Sequence, residues 1–227
     1  VGRAIRLYRI GPWFESKSAD MNKKSLAKWS DKHVLKELKA LRVGYQLKRT
    51  LRYLTKRDFS VHSESVAEHL FSLHYLALYF QLQEDPLGKL NMERVHRVIT
   101  FHDFGEILHG DVPYHLKTRA HELQEIKDAK TVFNSLPISL KKIAKSSWQD
   151  YCKRKSKEAK FVYVLDKIEP LFELYDPINE RSIKRLKHSY DEHFNKKFLA
   201  TENFPIMRRF VEVISQDMLS RKVFWED

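Results

Sequence analysis

The sequence predicts an all-α protein, and three observations support that fold class. The 227 residues include only 6 Gly and 7 Pro, too few for the frequent tight turns of a sandwich or barrel of short strands. Apolar residues recur at helical spacing through most of the chain after residue 30. No segment shows convincing strand alternation, an internal repeat or low complexity. The length fits one main domain with one substantial core.

Successive helices are predicted along the chain from about residue 30. The first two carry apolar residues at helical spacing, Leu35, Leu38, Leu41 and Leu47 in one and Val66, Leu70, Leu73, Ala77 and Phe80 in the other. Ser63 or Ser65 is a suitable N-cap for the second helix. A third helix follows Asn91, also an N-cap residue, and continues towards Gly110. Further helices are predicted near residues 118–135, 138–153, 156–175, 178–195 and 205–222.

The formal net charge of +12 is concentrated near the N-terminus. Residues 1–60 hold 16 Lys and Arg against 5 Asp and Glu, whereas the rest of the chain holds 26 against 25. We therefore expect residues 1–30 to form a basic extension. Three interpretations of its first 20 residues stay open: an arginine-rich targeting peptide, sequence upstream of a natural start at Met21, or a basic arm.

Residues 31–227 are predicted to form a single domain, with a motif-bearing core at 45–175 and C-terminal helices at 176–227. The single cysteine, Cys152, excludes an internal disulfide framework and is compatible with a reducing compartment. No run of 18 apolar residues occurs, so we expect a soluble protein without a membrane partner. A cytoplasmic location is predicted, with organellar targeting by the basic N-terminus as the alternative.

The segment HDFGEILHGDVP at residues 102–113 contains most of the candidate metal-binding and catalytic residues of the sequence. On a continuous helix, His102 and Glu106 share the apolar face that includes Val98 and Ile99. Ionisable groups on a buried face need partners, and a divalent metal balances carboxylates and binds neutral imidazole. The segment therefore indicates a metal site, although a His-Asp pair by itself is expected by chance in a sequence of this composition.

Two further residues are candidate ligands because they lie among apolar helix positions. His69 belongs to the apolar face of the second helix, and Asp166 lies within VYVLDKIE at residues 162–169. A lone buried His or Asp is more often structural than a ligand. Only the combination with the HD segment gives these two residues a functional interpretation.

Together these residues resemble the H…HD…D signature of the HD-domain metal-dependent phosphohydrolases. The segment SVAEH at 65–69, the spacing HDxxExxxGDxP at 102–113 followed by Lys117, and LDK at 165–167 are similar to motifs of the bacterial 5'-deoxynucleotidases and their eukaryotic HD-domain relatives. The resemblance covers roughly residues 45–175. It implies an all-α HD-domain helical bundle with a metal site between core helices.

The resemblance also implies one divalent metal ion held by His69, His102, Asp103 and Asp166. Imidazole and carboxylate ligands suit Mn, Co, Fe, Zn or Mg, and the ligand types alone do not choose among them.

Two acidic residues of the same motif are expected to act in catalysis. Glu106 is placed to orient or deprotonate a water molecule. Asp111 would assist as an acid, protonate the leaving oxygen or hold the sugar.

Cationic residues are expected to bind the substrate phosphate. Arg52, within an LKxxxR element similar to one in eukaryotic relatives, is preferred because guanidinium binds phosphate through two hydrogen bonds, and Arg57 is second. His109 is the remaining histidine most expected to touch substrate. Lys117 would approach a phosphate or, as an equal alternative, be a solvent-exposed lysine at the start of a helix.

The sequence departs from the pattern of its relatives in one place. They have a Gly-Trp pair close to the arginine, where this chain has Leu54-Thr55. Because the resemblance implies that the aromatic residue helps to seat the nucleotide, this departure bears on the choice of substrate. Glu169, one helical turn after Asp166, is expected to support a ligand rather than to bind metal.

We therefore predict a metal-dependent phosphohydrolase that releases phosphate from nucleoside or deoxynucleoside 5'-monophosphates. The alternatives are an HD hydrolase of nucleoside triphosphates, guanosine tetraphosphate or cyclic phosphodiesters, or a non-catalytic nucleic-acid-associated module that uses the basic N-terminal region. The expected partners are a small nucleotide substrate and a second copy of the chain, since a homodimer is expected from the resemblance. The apolar run at 204–214 either forms that interface or packs on its own core.

Overall fold

The structure, a computed structural model, describes residues 31–52, 64–112, 116–175, 183–184 and 187–225. The predicted extension at 1–30, the candidate Arg57 and the departure at Leu54-Thr55 lie outside the described residues. The chain separates into two units, Val1–Arg42 and Val43–Asp227. Helix α1 therefore falls in the first unit, whereas the sequence places a boundary before residue 31. The predicted domain limits stay a prediction.

The described chain is helical, which confirms the predicted fold class. Its bounds are α1 Asp31–Leu41, a 3-10 helix Gly44–Lys48, α2 Val66–Glu84, α3 Met92–Phe101, α4 Glu106–His109, α5 Arg119–Ser135, α6 Ile138–Lys153, α7 Lys157–Glu173, α8 Tyr190–Ala200 and α9 Pro205–Ser220. Within the described ranges, the one β-type pairing is an isolated antiparallel bridge between Leu51 and Ser65. None of the helices in those ranges has the length and hydropathy needed to cross a bilayer.

Local sequence signals set most helix starts. Ser65 caps α2 through a capping box with Glu68, and Asn91 caps α3 by accepting from the amide of Arg94. Ser156 caps α7 in the same way. The predicted starts of the second and third helices are therefore confirmed.

The prediction of one continuous helix from Asn91 to Gly110 is wrong. Helix α3 ends at Phe101, and tighter three-residue hydrogen bonds follow, including Glu106 N to Asp103 O at 3.0 Å. At this turn Gly105 packs against α5 so closely that a Cβ would lie 3.0 Å from Glu125 O. His102 and Glu106 therefore belong to separate elements, and the turn between them places Glu106 in the lining of a cavity to which Asp103 also contributes.

The helix predicted at 178–195 is not continuous, because residues 183–184 are helical but residues 187–189 are not. Helix α8 begins at Tyr190, because Ser189 forms a capping box with Glu192, and it continues to Ala200. The start of the predicted segment, at 178–182, lies outside the described residues.

Helix α7 is the centre of the bundle. It packs against α2, α3, α6, α8 and α9, and its apolar side chains are buried on more than one face, among them Phe161, Leu165 and Ile168. A helix surrounded in this way holds a side chain in a fixed position between several neighbours. Asp166 lies on α7, at the position where α2 and the turn after α3 approach it.

Candidate metal centre

Four predicted ligands from three elements meet between α2, α7 and the turn after α3. His69 Nε2 lies 3.3 Å from Asp166 Oδ1 and 3.7 Å from Asp103 Oδ2. His102 Nε2 lies 3.1 Å from Asp103 Oδ2 and 3.9 Å from Asp166 Oδ1. The structure therefore brings together two imidazole nitrogens and two carboxylate oxygens.

The outer nitrogen of each imidazole ring has close partners. His102 Nδ1 donates to the carbonyl oxygen of Ile99 at 2.8 Å, so in the neutral ring the lone pair is on Nε2. His69 Nδ1 lies 2.8 Å from Glu169 Oε2, which only accepts, and 2.7 Å from Arg52 Nη1, which only donates. In both rings Nε2 faces the two aspartates. The assumption that Glu169 supports a ligand agrees with this contact.

The two Nε2 atoms are buried and have no hydrogen-bond partner within the described part of the chain. Buried polar atoms without a partner reduce the free energy of unfolding, and a bound cation would supply the missing partner. Metal bonds of about 2.0–2.2 Å to nitrogen and oxygen place neighbouring ligand atoms roughly 3 to 3.6 Å apart, close to the separations found here. The residues present therefore fit one divalent cation.

Asp166 is oriented by two donors on its outer oxygen. Tyr151 Oη donates to Asp166 Oδ2 at 2.6 Å, and Lys167 Nζ donates to the same atom at 2.6 Å. The inner oxygen, Oδ1, is left facing the two histidines. Despite burial, the Lys167 charge and the imidazoles hold the pKa of Asp166 well below its usual value.

A second cluster of potential metal ligands lies beside these four residues, and the guanidinium of Arg52 lies within it. Glu64, His69 and Glu169 also lie close enough to share a cation. Arg52 Nη1 is within this group, 2.7 Å from Glu64 Oε2 and 3.2 Å from Glu169 Oε2. The charge of Arg52 therefore takes the place of a metal there, and the site made by the two histidines and two aspartates is the candidate metal centre.

The metal-free centre holds protons on its histidines. Burial alone would lower the pKa of His69, but the Glu169 and Asp166 carboxylates raise it to about 9. Burial opposes the protonation of His102 as well, yet Asp103 and Asp166 raise its pKa to about 10. A bound cation would replace these protons.

Glu106 faces the same centre as a carboxyl group that favours its proton. The residue is 8% exposed, and its Oε2 has no hydrogen-bond partner in the described ranges. Burial, followed by the charges of Asp103 and Asp111, raises the pKa of Glu106 well above its usual value. Burial also raises the pKa of Asp111, although Arg52 Nε lies 3.8 Å from its Oδ2.

The centre opens onto a cavity of about 150 Å³. Six of the predicted site residues line it: Arg52, Asp103, Glu106, Asp111, Lys117 and Asp166. Of these, Lys117 forms an ion pair with Glu125 at 2.5 Å.

His109 is not among the residues that line this cavity. Its Nδ1 lies 2.5 Å from Asp128 Oδ2, its side chain is 63% exposed, and it borders a neighbouring hollow of about 50 Å³ that also touches Glu106. Its contact with substrate therefore stays a prediction.

Sequence reasoning missed several residues that shape the site. Tyr151 and Glu64 have no motif signal, because their contacts with Asp166 and Arg52 join distant parts of the chain. His193 and Lys197, which also line the cavity, lie beyond the motif region. Their spacing of four residues on one helix is the single signal in the sequence that could have indicated them.

Comparison with known proteins gives a family match across most of the chain. The family described as "HD domain" matches residues 45–203. The chain is 30% identical over 163 residues to the Bos taurus protein named 5'-deoxynucleotidase HDDC2, covering 70% of this chain and 77% of that protein. The Homo sapiens protein of the same name is 29% identical over the same length and shares of the two chains.

Solved structures with low sequence identity share the fold. A predicted metal-dependent phosphohydrolase from Magnetospirillum magnetotacticum MS-1 has a TM-score of 0.70 at 22% identity, covering 85% of this chain and 98% of that chain. An HD-domain phosphohydrolase from Listeria innocua has a TM-score of 0.51 at 20% identity, covering 81% and 95%.

Proposed function

The chain belongs to the HD-domain family, and on that premise we propose that it is a metal-dependent phosphohydrolase of nucleoside or deoxynucleoside 5'-monophosphates. The observation that carries the proposal is the pair of orphaned buried nitrogens, His69 Nε2 and His102 Nε2, facing two aspartates at one wall of a cavity. Relatives named 5'-deoxynucleotidase support the choice of a monophosphate.

His69, His102, Asp103 and Asp166 would hold the cation, with Mn, Co, Fe, Zn and Mg all compatible with these ligand types. When bound, a divalent cation lowers the pKa of water and offsets the negative charge of phosphate.

Hydrolysis of the monoester requires one proton to leave the attacking water and one to reach the leaving oxygen. The positive charge of a bound cation would lower the raised pKa of Glu106, so Glu106, as a carboxylate, would accept the proton of the water. Asp111, with its raised pKa, donates a proton to the 5'-oxygen as the phosphorus–oxygen bond breaks. The products are a nucleoside and inorganic phosphate, and the proton transfers balance.

Charge on the phosphate is offset by side chains of the same cavity. Arg52 is held by Glu64 and Glu169, so its guanidinium is positioned before substrate arrives. Lys117 lines the same cavity and forms an ion pair with Glu125. The homodimer, the cytoplasmic location and a nucleic-acid role for the basic residues 1–30 stay predictions.

The test is phosphate release from nucleoside and deoxynucleoside mono-, di- and triphosphates with Mn, Co, Mg or a chelator. We expect metal-dependent release from monophosphates, reduced about 10²–10⁴-fold by Glu106→Gln because a proton acceptor is lost. Glu122→Gln, an exposed glutamate on α5 paired with Arg119, is the matched control and should keep full activity. No release from any monophosphate by metal-loaded protein would refute the proposal.

A further inference from the structure

Lys197 is a buried lysine in the wall of the cavity, and the chemistry proposed above does not use it. It lies on α8, which packs against α7, and the residue is 5% exposed. It lines the same cavity of about 150 Å³ as Asp103 and Glu106. A lysine is rarely buried to this extent unless it is paired with an opposite charge. The groups around its Nζ atom therefore determine what the residue can do.

Lys197 Nζ contacts neutral groups of His193, one turn earlier on the same helix. It donates to His193 O at 3.0 Å and lies 3.4 Å from His193 Nδ1. The His193 ring is neutral, because burial, followed by the charges of Lys197 and His188, lowers its pKa well below the usual value. An ammonium donates to both atoms, whereas an amine donates to the carbonyl oxygen and either donates to Nδ1 or accepts from it. These contacts therefore do not require the ammonium form of Lys197.

Two other lysines that line the cavity have carboxylate partners. Lys117 Nζ lies 2.5 Å from Glu125 Oε2, and Lys167 Nζ donates to Asp166 Oδ2 at 2.6 Å. Burial by itself would lower the pKa of each lysine, but the neighbouring carboxylates raise both pKa values above the usual one. Both side chains are therefore ammonium ions at neutral pH.

Like charges act on Lys197 instead. Lys167 and Lys196 line the same cavity, and burial, followed by the charges of these two lysines, lowers the pKa of Lys197 to about 7. At pH 7 about half of such a group is amine, against about 0.03% of a lysine with the ordinary pKa of 10.5. An amine has the lone pair that attacks carbon, and an ammonium does not. The cavity wall therefore contains a nucleophile at neutral pH.

We propose that Lys197 is a nucleophilic amine that forms an imine with small aldehydes that enter the cavity. The lone pair of Nζ forms a bond to the aldehyde carbon while the carbonyl π bond breaks towards oxygen. Both protons of the amine leave with that oxygen as water, and a C=N bond replaces the C=O bond. The reaction needs no oxidant or reductant, and addition of water to the imine restores the amine and the aldehyde.

An imine on Lys197 would occupy space that a substrate also needs. Asp103, Glu106 and Asp166 line the same cavity, so an adduct on Lys197 and a nucleotide at the metal centre compete for about 150 Å³. We therefore expect aldehydes to inhibit phosphate release. This consequence rests on the proposed function, whereas formation of the adduct does not.

The test is labelling of metal-loaded protein with propanal at pH 7, with cyanoborohydride to reduce each imine to a stable secondary amine. Peptide mass spectrometry then gives the initial labelling rate of each lysine. We expect Lys197 to react about 10- to 100-fold faster than Lys160, an exposed lysine on α7, because restricted access offsets only part of an about 10³-fold advantage in amine fraction. A rate at Lys197 no higher than that at Lys160 would overturn the inference.

Variants separate the nucleophile from its surroundings. Lys196→Met leaves Lys197 in place and removes one of the like charges, so labelling at Lys197 should slow about 3- to 10-fold. Lys160→Met is the matched control and should leave the rate at Lys197 unchanged. Faster labelling at Lys197 in Lys196→Met than in the wild-type protein would contradict the inference.

Phosphate release after the same treatment tests the consequence. Activity of the wild-type protein should fall in proportion to the labelled fraction of Lys197, and Lys197→Met should lose no activity on treatment. If the untreated wild-type protein hydrolyses no nucleotide, the proposed function fails, and the labelling rates decide the inference about Lys197 by themselves.

Discussion

Tyr151 Oη donates a 2.6 Å hydrogen bond to Asp166 Oδ2, and the other oxygen of that carboxylate faces His69 Nε2 at 3.3 Å. The tyrosine lies on α6 and the aspartate on α7, so the packing of two helices sets the orientation of a metal ligand. The Tyr151 ring also packs 4.8 Å from the ring of His102. One side chain outside the motif thus supports two of the four proposed ligands.

We expect Tyr151→Phe to weaken metal binding by about 10- to 100-fold, because Asp166 loses a partner that orients it. Competition with a fluorescent chelator measures the Kd. Tyr175→Phe is the matched control, since its hydroxyl also donates to an aspartate, Asp217 at 2.9 Å, on an exposed surface. Equal Kd values in the two variants would show that Tyr151 does not position the ligand.

Metal affinity should rise with pH. At pH 7 the metal-free site holds protons on His69 and His102, whose pKa values are raised to about 9 and about 10. A cation must displace both, so the apparent affinity should increase by up to about tenfold per pH unit for each proton, until pH passes these values. Calorimetry with Mn in buffers of different ionisation enthalpy counts the protons released. His69→Ala should release one fewer, and a Kd independent of pH from 6 to 9 would contradict the expectation.

The same shifts affect the stability of the metal-free protein. The folded-state pKa of each histidine lies above its ordinary value of 6.5, so the stabilisation is complete below that pH and is lost as pH rises through 9 and 10. The urea midpoint of chelator-treated protein should therefore fall between pH 7 and 10. Saturating metal should reduce this dependence, since the metal-bound imidazoles are neutral throughout.

Gly105→Ala should destabilise the turn that separates α3 from α4. The new Cβ would lie 3.0 Å from Glu125 O, a backbone atom that cannot move aside alone, and overpacking of this kind costs about 1–3 kcal/mol. Urea unfolding measures the loss, and displacement of Glu106 should lower kcat. Gly44→Ala is the control, because its Cβ would meet only a Phe104 side-chain atom at 3.4 Å. A loss no larger than that of the control would mean that α5 does not restrict the turn.

Arg52→Met should lower both stability and activity. The substitution leaves buried Glu64 and Glu169 without the guanidinium between them, and breaking a buried ion pair costs on the order of 3 kcal/mol. Arg49→Met changes an exposed arginine that ends the 3-10 helix Gly44–Lys48, three residues before Arg52, and should have little effect on the free energy of unfolding. If Arg52 also binds the phosphate, KM should rise even at temperatures where the variant is fully folded. Lower stability by itself would reduce the amount of folded enzyme and leave its KM unchanged.

Local signals in the sequence were sufficient for much of the fold. Capping residues such as Ser65 and Asn91 act within four residues of the helix starts that they set, so those starts can be predicted without knowing the rest of the structure. The continuous helix through His102 was wrong because its end depends on α5, which presses Glu125 against Gly105. Helix periodicity holds no information about that contact.

The sequence by itself determined the all-α class and the family, because apolar periodicity, caps and motif spacing are local features of the chain. It also supplied the four ligands that we propose. Only the tertiary structure decided how those residues are held and what surrounds them. Asp166 faces two histidines because Tyr151 and Lys167 bind its outer oxygen, and Arg52 fills the neighbouring acidic group. His193 and Lys197, which no motif marks, are buried one turn apart on α8 and line the same cavity. Protonation states and side-chain orientations depend on distances of a few ångströms between groups far apart in sequence, and only folding fixes those distances.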